Sequence, residues 1–345
     1  MDRQYQELLT EKLPWEKLNN AKLLLTGGNG MIMSSLIDAL MEANQAHQLN
    51  MSLYVLCRNR ERAEERFCAY CADEKFHLLI QDVCQPIETN VHFQYIIHGA
   101  SAAYPKAFNE VPVDVMKANL LGTLNLLEYS RRFSDTRFMF VSSSEVYGEN
   151  EKEECTFYES TLGEVDYTRF RACYPESKRA SETLCMCYRK QYGTDAVIVR
   201  PAFIYGKNVI DSNTRADVYF LKQAMAKQDI VMYSEGRQIR SYCYIKDCIS
   251  GMLYALLLGG SGEIYNIGNM DCVVTLREYA QELADIAGVS LIYRPDDAPQ
   301  NMVFLKTTRC VLDTKKLESL GWRAHFSLQE GVRDMLMVKQ YVGAT

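Results

Sequence analysis

The sequence predicts an α/β protein: a doubly wound parallel sheet carrying a smaller, discontinuous α/β lobe. Three observations predict it. Between residues 22 and 200, short apolar runs alternate with helix-like patterns. The first of these runs ends directly in a glycine turn that opens a helix. After residue 203 the rhythm gives way to longer loops and scattered elements. Strands that are apolar almost throughout, each followed by a helix, belong in a parallel sheet covered on both faces.

The chain opens on MDRQYQELLTEKLPWEKLNN, charged throughout. Its Leu8, Leu9, Leu13 and Trp15 predict a short amphipathic helix ended before Pro14, a helical extension over residues 1–19 that braces the surface. It has no apolar signal core, so export is not expected and a cytoplasmic location is. The strands follow as KLLLTGG (22–28), SLYVLCR (52–58), FHLLIQDV (76–83), YIIHGAS (95–101), RFMFVSSSE (137–145) and DAVIVRPAF (195–203). Helical patterns lie between them at 31–46, 112–133 and 175–192. Pro175 suits a first helical position, where a missing N–H costs nothing, and Gly193 suits the cap at the far end. Beyond 203 come helical patterns near 214–227, Thr275–Ala287 and 328–341, with EIYNIGN at 263–269 between them. The expected division is a dinucleotide-binding domain of residues 20–203 plus about 240–262, and a substrate-binding lobe of 204–239 plus 263–345.

Composition excludes several functions. The chain has 345 residues, 48% hydrophobic and 24% charged, ordinary values for a globular protein of about two domains. Net charge is −6 and the basic residues are scattered, so the stripe or patch that nucleic acid requires is missing. The longest purely apolar run, MLYALLL at 252–258, is far short of the roughly 20 residues that cross a bilayer, and no membrane partner is expected. The twelve cysteines are dispersed, and the only CxxC, Cys68 to Cys71, has no second pair at zinc-site spacing. All twelve are expected to be reduced, buried small hydrophobes, and no metal site is expected.

Chemistry concentrates at three turns. In LLLTGGNGMIMSS, Gly27 and Gly30 permit a tight turn and close approach of a pyrophosphate to a helix N-terminus. The third small position is Met33, which implies a shifted helix or altered cofactor contacts. After the second strand, Cys57 stands near the place of the acidic residue that would bind a ribose hydroxyl. Arg58 follows and would suit a 2′-phosphate, so NAD and NADP both remain open at this point. Farther on, FVSSSEVYG (140–148) places hydroxyls at a strand's carboxyl end, and YPESK sets Tyr174 and Lys178 one helical turn apart. A free phenol has a pKa of about 10. A neighbouring ammonium, with the positive nicotinamide ring of an oxidised cofactor, would lower it and let Tyr174 take a proton from a substrate alcohol as hydride leaves.

Together the motifs resemble the extended short-chain dehydrogenase/reductases that act on nucleotide sugars. The resemblance spans about residues 20–335. It rests on TGxxG at Thr26–Gly30, Asp82-Val83 ahead of IIHGAS, NLLGTLNLLE, SSSEVYG, YPESK, VRPAFIYG, GRQIRSYCYIKD and LGW. It implies a Rossmann domain, bound NAD or NADP, and a nucleoside-diphosphate sugar as substrate. NAD is favoured by the resemblance, NADP by Arg58. By the same resemblance Ser143, Glu145, Tyr174 and Lys178 are catalytic. The implied cofactor site comprises Gly27, Asn29, Gly30, Met31, Ile32, Arg58, Asp82, Val83, Ala100, Ser101, Asn119, Ser142, Tyr174, Lys178 and Pro201. Within it Asp82 and Val83 meet the adenine and Asn119 holds a structural water. Ser101, Ser143, Ser144, Phe203 and Arg240 are the implied substrate residues, with Arg240 on the diphosphate.

Members of this group share an opening oxidation at C4 of the sugar. Ser143-Ser144-Glu145 is similar to the triplet of UDP-glucuronate decarboxylases and GDP-mannose dehydratases. Ser144 replaces the aspartate of dTDP-glucose-type 4,6-dehydratases, and Glu145 weighs against simple 4-epimerisation. DDAPQN (296–301) also looks decarboxylase-like, whereas Phe203 replaces a usual asparagine and NMVFLKTTR (301–309) lacks the usual Arg-Lys-Pro-Asp run. The expected activity is a lyase, decarboxylase ahead of dehydratase. The alternatives are a 4-epimerase and, from another class, a catalytically silent NAD(P)-binding regulator. Helices 112–133 and 175–192 are apolar over more than one face, which predicts a homodimer pairing them in a four-helix bundle.

Overall fold

The computed structural model describes residues 4–148, 156–209, 213–297 and 309–337. The chain starts with one helical turn, α1 (Gln6–Leu9), and a 3-10 turn follows at Trp15–Leu18. The helix expected before Pro14 is a single turn, and the separate 3-10 turn lies beyond the proline, whose ring excludes helical backbone just before it. Tyr5, Leu8, Leu13, Trp15 and Leu18 are buried, while Leu9 is only half-buried. The Glu42 carboxylate accepts the Gln4 and Tyr5 N–H groups at 2.9 and 3.0 Å and pins the extension down.

The first domain follows the predicted rhythm. Its strands are β1 (Lys22–Thr26), β2 (Ser52–Cys57), β3 (Phe76–Ile80), β4 (Tyr95–His98) and β5 (Arg137–Val141). The helices between them are α2 (Met31–His47), α3 (Arg60–Arg66), α4 (Pro105–Glu110) and α5 (Pro112–Ser130). Beyond β5, the short β6 (Thr156–Phe157) leaves the sheet, and α6 (Cys173–Tyr192) returns the chain to β7 (Asp195–Pro201). Then come β8 (Phe203–Tyr205), α7 (Ala216–Met225), β9 (Ile230–Met232), β10 (Ile239–Tyr244), α8 (Ile245–Leu258) and β11 (Ile264–Ile267). The chain continues through β12 (Val273–Thr275), α9 (Leu276–Ala287), β13 (Leu291–Tyr293), β14 (Arg309–Leu312), α10 (Lys315–Glu318) and α11 (Leu328–Met337).

Seven strands form the main sheet in the order β3-β2-β1-β4-β5-β7-β11, every neighbouring pair parallel. Strand order reverses between β1 and β4, and ligands bind beyond the carboxyl ends at such a switch point. The second sheet runs β12-β10-β14-β6 with β8 paired on β10, and β9 pairs with β13 separately.

These pairings correct the expected division of the chain. Residues 263–269 were assigned to the lobe, yet β11 hydrogen-bonds along β7 at the edge of the main sheet. Residues 240–244 were assigned to the first domain, yet β10 lies in the second sheet. The segment that returns to the first domain is α8 and β11, with α8 packed on α2. Strand partnership is a long-range choice that an apolar run does not encode. A single apolar cluster extends from β1 and α2 through α8 to Tyr242 and Tyr279 in the lobe, so both parts share one core. No helix among the described residues is long and apolar enough to cross a membrane.

Candidate active site

The turn after β1 is built for close approach. Gly27 has φ +77°, and a Cβ there would lie 2.7 Å from Ala100 Cα and 2.8 Å from Ala100 N. Gly28, which the sequence reading did not single out, is equally constrained: its Cβ would meet Val55 Cγ1 at 2.4 Å. The Gly30 N–H donates to Gly27 O at 2.9 Å, closing the turn at the start of α2, where Met31 and Ile32 are half-buried. Three buried oxygens by position at this end of the sheet, Asn29 Oδ1, Ser101 Oγ and Ser142 Oγ, lack a partner among the described residues. Buried polar atoms are ordinarily paired. A glycine cradle at a helix N-terminus with unpartnered hydroxyl and amide oxygens fits a dinucleotide, which brings phosphate and ribose oxygens.

Met33 does not disrupt this turn. It is buried, and the space it takes is provided across the sheet by Gly99, where a Cβ would fall 2.4 Å from Met33 Cγ and Sδ. The close packing that a third turn glycine normally allows has been transferred to β4's end.

At the end of β2, burial pushes the Cys57 thiol up to about 11, so a neutral group stands at the place where an acidic residue would bind a ribose hydroxyl. Arg58 is largely exposed and only 3.9 Å from Asp82. Asp82 Oδ1 accepts the Cys84 N–H at 2.8 Å, and Val83 is buried with its carbonyl accepting from Asn125 Nδ2 at 3.0 Å. Both residues thus shape the turn after β3.

Past β5 the chain brings Ser143, Tyr174 and Lys178 together. Ser143 Oγ accepts the Glu145 N–H at 3.2 Å, and its hydroxyl stands close enough to Tyr174 to bear on the phenol's proton. Tyr174 is buried and stacks on Phe108 of α4, ring centroids 4.9 Å apart at 25°. Lys178 is buried, donates to Val141 O at 2.7 Å, and lies 5.8 Å from the Tyr174 ring centre. Helix α6 begins at Cys173, so Pro175 is its third residue rather than its first. That is equally harmless, because the first four N–H groups of a helix have no intrahelical acceptor.

Burial, then the Glu145 carboxylate, hold the Tyr174 phenol above its ordinary value of 10.0, against the Ser143 hydrogen bond, Arg215 and Arg171. Burial pulls the Lys178 ammonium down to about 7, with Glu182 opposing. The protein alone therefore favours phenol over phenolate, because both groups are cut off from water.

Asn119 is fully buried and ties the two long helices together. Its Nδ2 donates to Ser177 Oγ at 2.8 Å, its carbonyl accepts from Ser181 Oγ at 2.9 Å, and its Oδ1 has no described partner. Glu145 is ion-paired with Arg171, both guanidinium N–H groups reaching Oε2 at 3.1 and 3.2 Å. On the lobe side the buried Arg240 guanidinium lies 4.1 Å from the centre of the Phe203 ring. Phe203 sits beside Tyr242 through the β8–β10 pairing and serves as a cation–π platform. Arg215 bonds Asp217 at 3.1 and 2.8 Å and Ile204 O at 3.2 Å. Ser144 is buried in the turn after β5, and Pro201 ends β7 opposite Ile267. Sequence reasoning missed Gly28, Gly99, Phe108, Arg171 and Arg215. Only Arg171, three residues before Tyr174, had a visible signal. The stretches 296–301 and 301–309 fall mainly outside the described residues.

A nucleotide-binding sheet with seryl, tyrosyl and lysyl groups converging past β5 defines an enzyme of the extended short-chain dehydrogenase/reductase class. More narrowly, the chain belongs to the NAD dependent epimerase/dehydratase family, whose model matches residues 23–268. It is 31% identical over 318 residues to UDP-glucuronic acid decarboxylase 6 of Arabidopsis thaliana, covering 91% of this chain and 87% of that protein. The fold is similar to epimerase Mth375 of Methanothermobacter thermautotrophicus, with TM-score 0.80, 20% identity, and 96% and 95% of the two chains covered. It is also similar to the dTDP-glucose 4,6-dehydratase DesIV of Streptomyces venezuelae, solved with NAD and TYD bound. There the TM-score is 0.77 at 24% identity, covering 91% and 95%.

Proposed function

We propose that this protein decarboxylates a nucleoside-diphosphate hexuronic acid, UDP-glucuronate being the substrate best supported, after oxidation at C4 of the sugar. The observation that carries the reading is the convergence of Ser143, Tyr174 and Lys178 past β5, with the Glu145 carboxylate placed alongside. The roughly 30% identity to UDP-glucuronic acid decarboxylases over most of the chain supports the same choice.

The cofactor residues proposed are the Gly27–Gly30 turn, the first turn of α2, Ala100, Ser101, Ser142 and Lys178. Asp82 and Val83 stand at the adenine end. Bound NAD+ would supply the hydride acceptor for C4, return that hydride later, and bring a positive charge to the site. That charge offsets the burial that otherwise keeps the phenol protonated. Tyr174 then takes the C4 hydroxyl proton while Ser143 holds the C4 oxygen. The resulting C4 ketone is β to the C5 carboxylate. The carbon–carboxylate bond breaks to release CO2, and its electron pair passes into an enolate whose oxygen Ser143 and the protonated Tyr174 hydrogen-bond. A proton taken from solvent at C5 and return of the hydride to C4, with Tyr174 giving its proton back to the C4 oxygen, would close the cycle. Arg240, held over Phe203, is proposed to bind the substrate diphosphate.

Further parts of the proposal are a cytoplasmic enzyme and a homodimer through α5 and α6. Val113, Met116, Leu121 and Leu124 expose apolar surface along one side of α5, which supports the pairing. Incubation with UDP-glucuronate, GDP-mannose, UDP-glucose and UDP-N-acetylglucosamine, followed by mass spectrometry, tests the function. Loss of carbon dioxide from UDP-glucuronate is expected. Loss of water from another sugar, an isobaric change, or no reaction with any of them refutes the decarboxylase assignment.

A further inference from the structure

Arg171 is delivered to the catalytic centre by a constrained loop. A Cβ on Gly163 would sit 1.6 Å from Tyr147 O, and one on Gly148 would sit 1.9 Å from Glu164 O. The two segments therefore cross where only glycines fit. Arg179 of α6 fastens the crossing, donating to Val146 O at 2.7 Å and Gly163 O at 2.6 Å. Beyond it, Arg171 makes two contacts that converge on the reacting groups. Its Nη1 and Nη2 both reach Glu145 Oε2, and its guanidinium carbon lies 4.5 Å from the centre of the Phe108 ring that stacks on Tyr174. No bond from a described residue engages Glu145 Oε1.

We propose that Arg171 is a positioning residue of this centre: it fixes the Glu145 carboxylate with one oxygen free and balances that negative charge beside Tyr174. The inference rests on the C4-oxidation reading above. Charged and titratable groups around the Tyr174 hydroxyl are Lys178 on its own helix, Glu145 after β5, Arg171 ahead of α6, and Arg215 ahead of α7. Among them Glu145 opposes the phenolate and Arg171 favours it. A guanidinium that pairs with the one opposing charge links the two functions. Lysine replaces its charge but not its two-pronged grip.

The test uses Arg171→Met and Arg171→Lys, each alone and combined with Glu145→Gln. With UDP-glucuronate, Arg171→Met should lower kcat by about 10² with KM nearly unchanged, and Arg171→Lys should recover part of the loss. Adding Arg171→Met to Glu145→Gln should cost little more than Glu145→Gln alone. Independent, multiplying losses would overturn the proposal, as would normal kcat in Arg171→Met. A second measurement needs no turnover. With NAD+ bound, the Tyr174 phenolate is titrated by ultraviolet difference spectroscopy, the Tyr174→Phe protein serving as blank. Arg171→Met should move the titration alkaline by roughly one pH unit. An unmoved titration would overturn the charge-balancing role even if wild type turned over none of the sugars, a result that would by itself sink only the functional reading. Should Arg171→Met fail to fold, Arg171→Lys decides: wild-type kcat and an unchanged pH profile would refute the two-pronged grip.

Discussion

The Met33–Gly99 exchange makes a quantitative prediction. A Cβ on residue 99 would stand 2.4 Å from both Met33 Cγ and Sδ and 3.4 Å from Thr26 O. Ordinary carbon contacts are about 3.5–4.0 Å, so Gly99→Ala forces two heavy atoms of a buried side chain to retreat by about 1 Å or more. Met33 has little room to do so, because it is 2% exposed and sits in the first turn of α2. Overpacking of this kind costs about 1–3 kcal/mol. The helix start that carries the phosphate-facing N–H groups should shift with it. Gly99→Ala is therefore expected to lose about that much unfolding free energy and to bind NAD+ several-fold more weakly. Met33→Ala alone should cost about 2–5 kcal/mol by leaving a cavity. The decisive arm is the double variant: with Met33 truncated, Gly99→Ala should be nearly free, giving a coupling of about 1–3 kcal/mol. Chemical denaturation and NAD+ titration of the four proteins measure both quantities. Additive losses would show that Gly99 is not what accommodates Met33.

Three further outcomes are expected. Tyr174→Phe should reduce turnover by about 10²–10⁴ while NAD+ still binds, as read by kinetics and fluorescence titration; near-normal activity would remove the phenol from the mechanism. Lys178 falls from 10.5 unfolded to about 7 folded, so the unfolded chain binds more protons between those values and wild-type stability rises with pH there. Denaturation of wild type and Lys178→Met at several pH values should show the variant's relative stability growing as pH falls from 10.5 toward 7 and levelling below it, and a flat difference would refute the buried ammonium. Light scattering at micromolar concentration should give twice the mass of one chain, and a Met116→Glu, Leu124→Glu variant should give the monomer mass; a monomeric wild type would refute the pairing.

What the sequence determined by itself was local in origin. The succession of apolar runs marked the six central strands because burial on both faces demands unbroken apolar side chains. The glycine turn lies within one strand–turn–helix unit and the Tyr174–Lys178 pair within one helix, so local spacing alone brings their groups together. Tertiary structure decided what depends on partners far apart in the chain. The placement of β11 beside β7 and of β10 in the second sheet is a pairing choice. The room for Met33 comes from Gly99, sixty-six positions away. The balance at Tyr174 was likewise beyond a linear reading: the sequence showed an ammonium that, with a nicotinamide beside it, should favour phenolate. Burial and the Glu145 carboxylate outweigh Arg171 and Arg215, which approach from two further segments and favour phenolate, because desolvation acts on a charge only once the whole fold has closed around it.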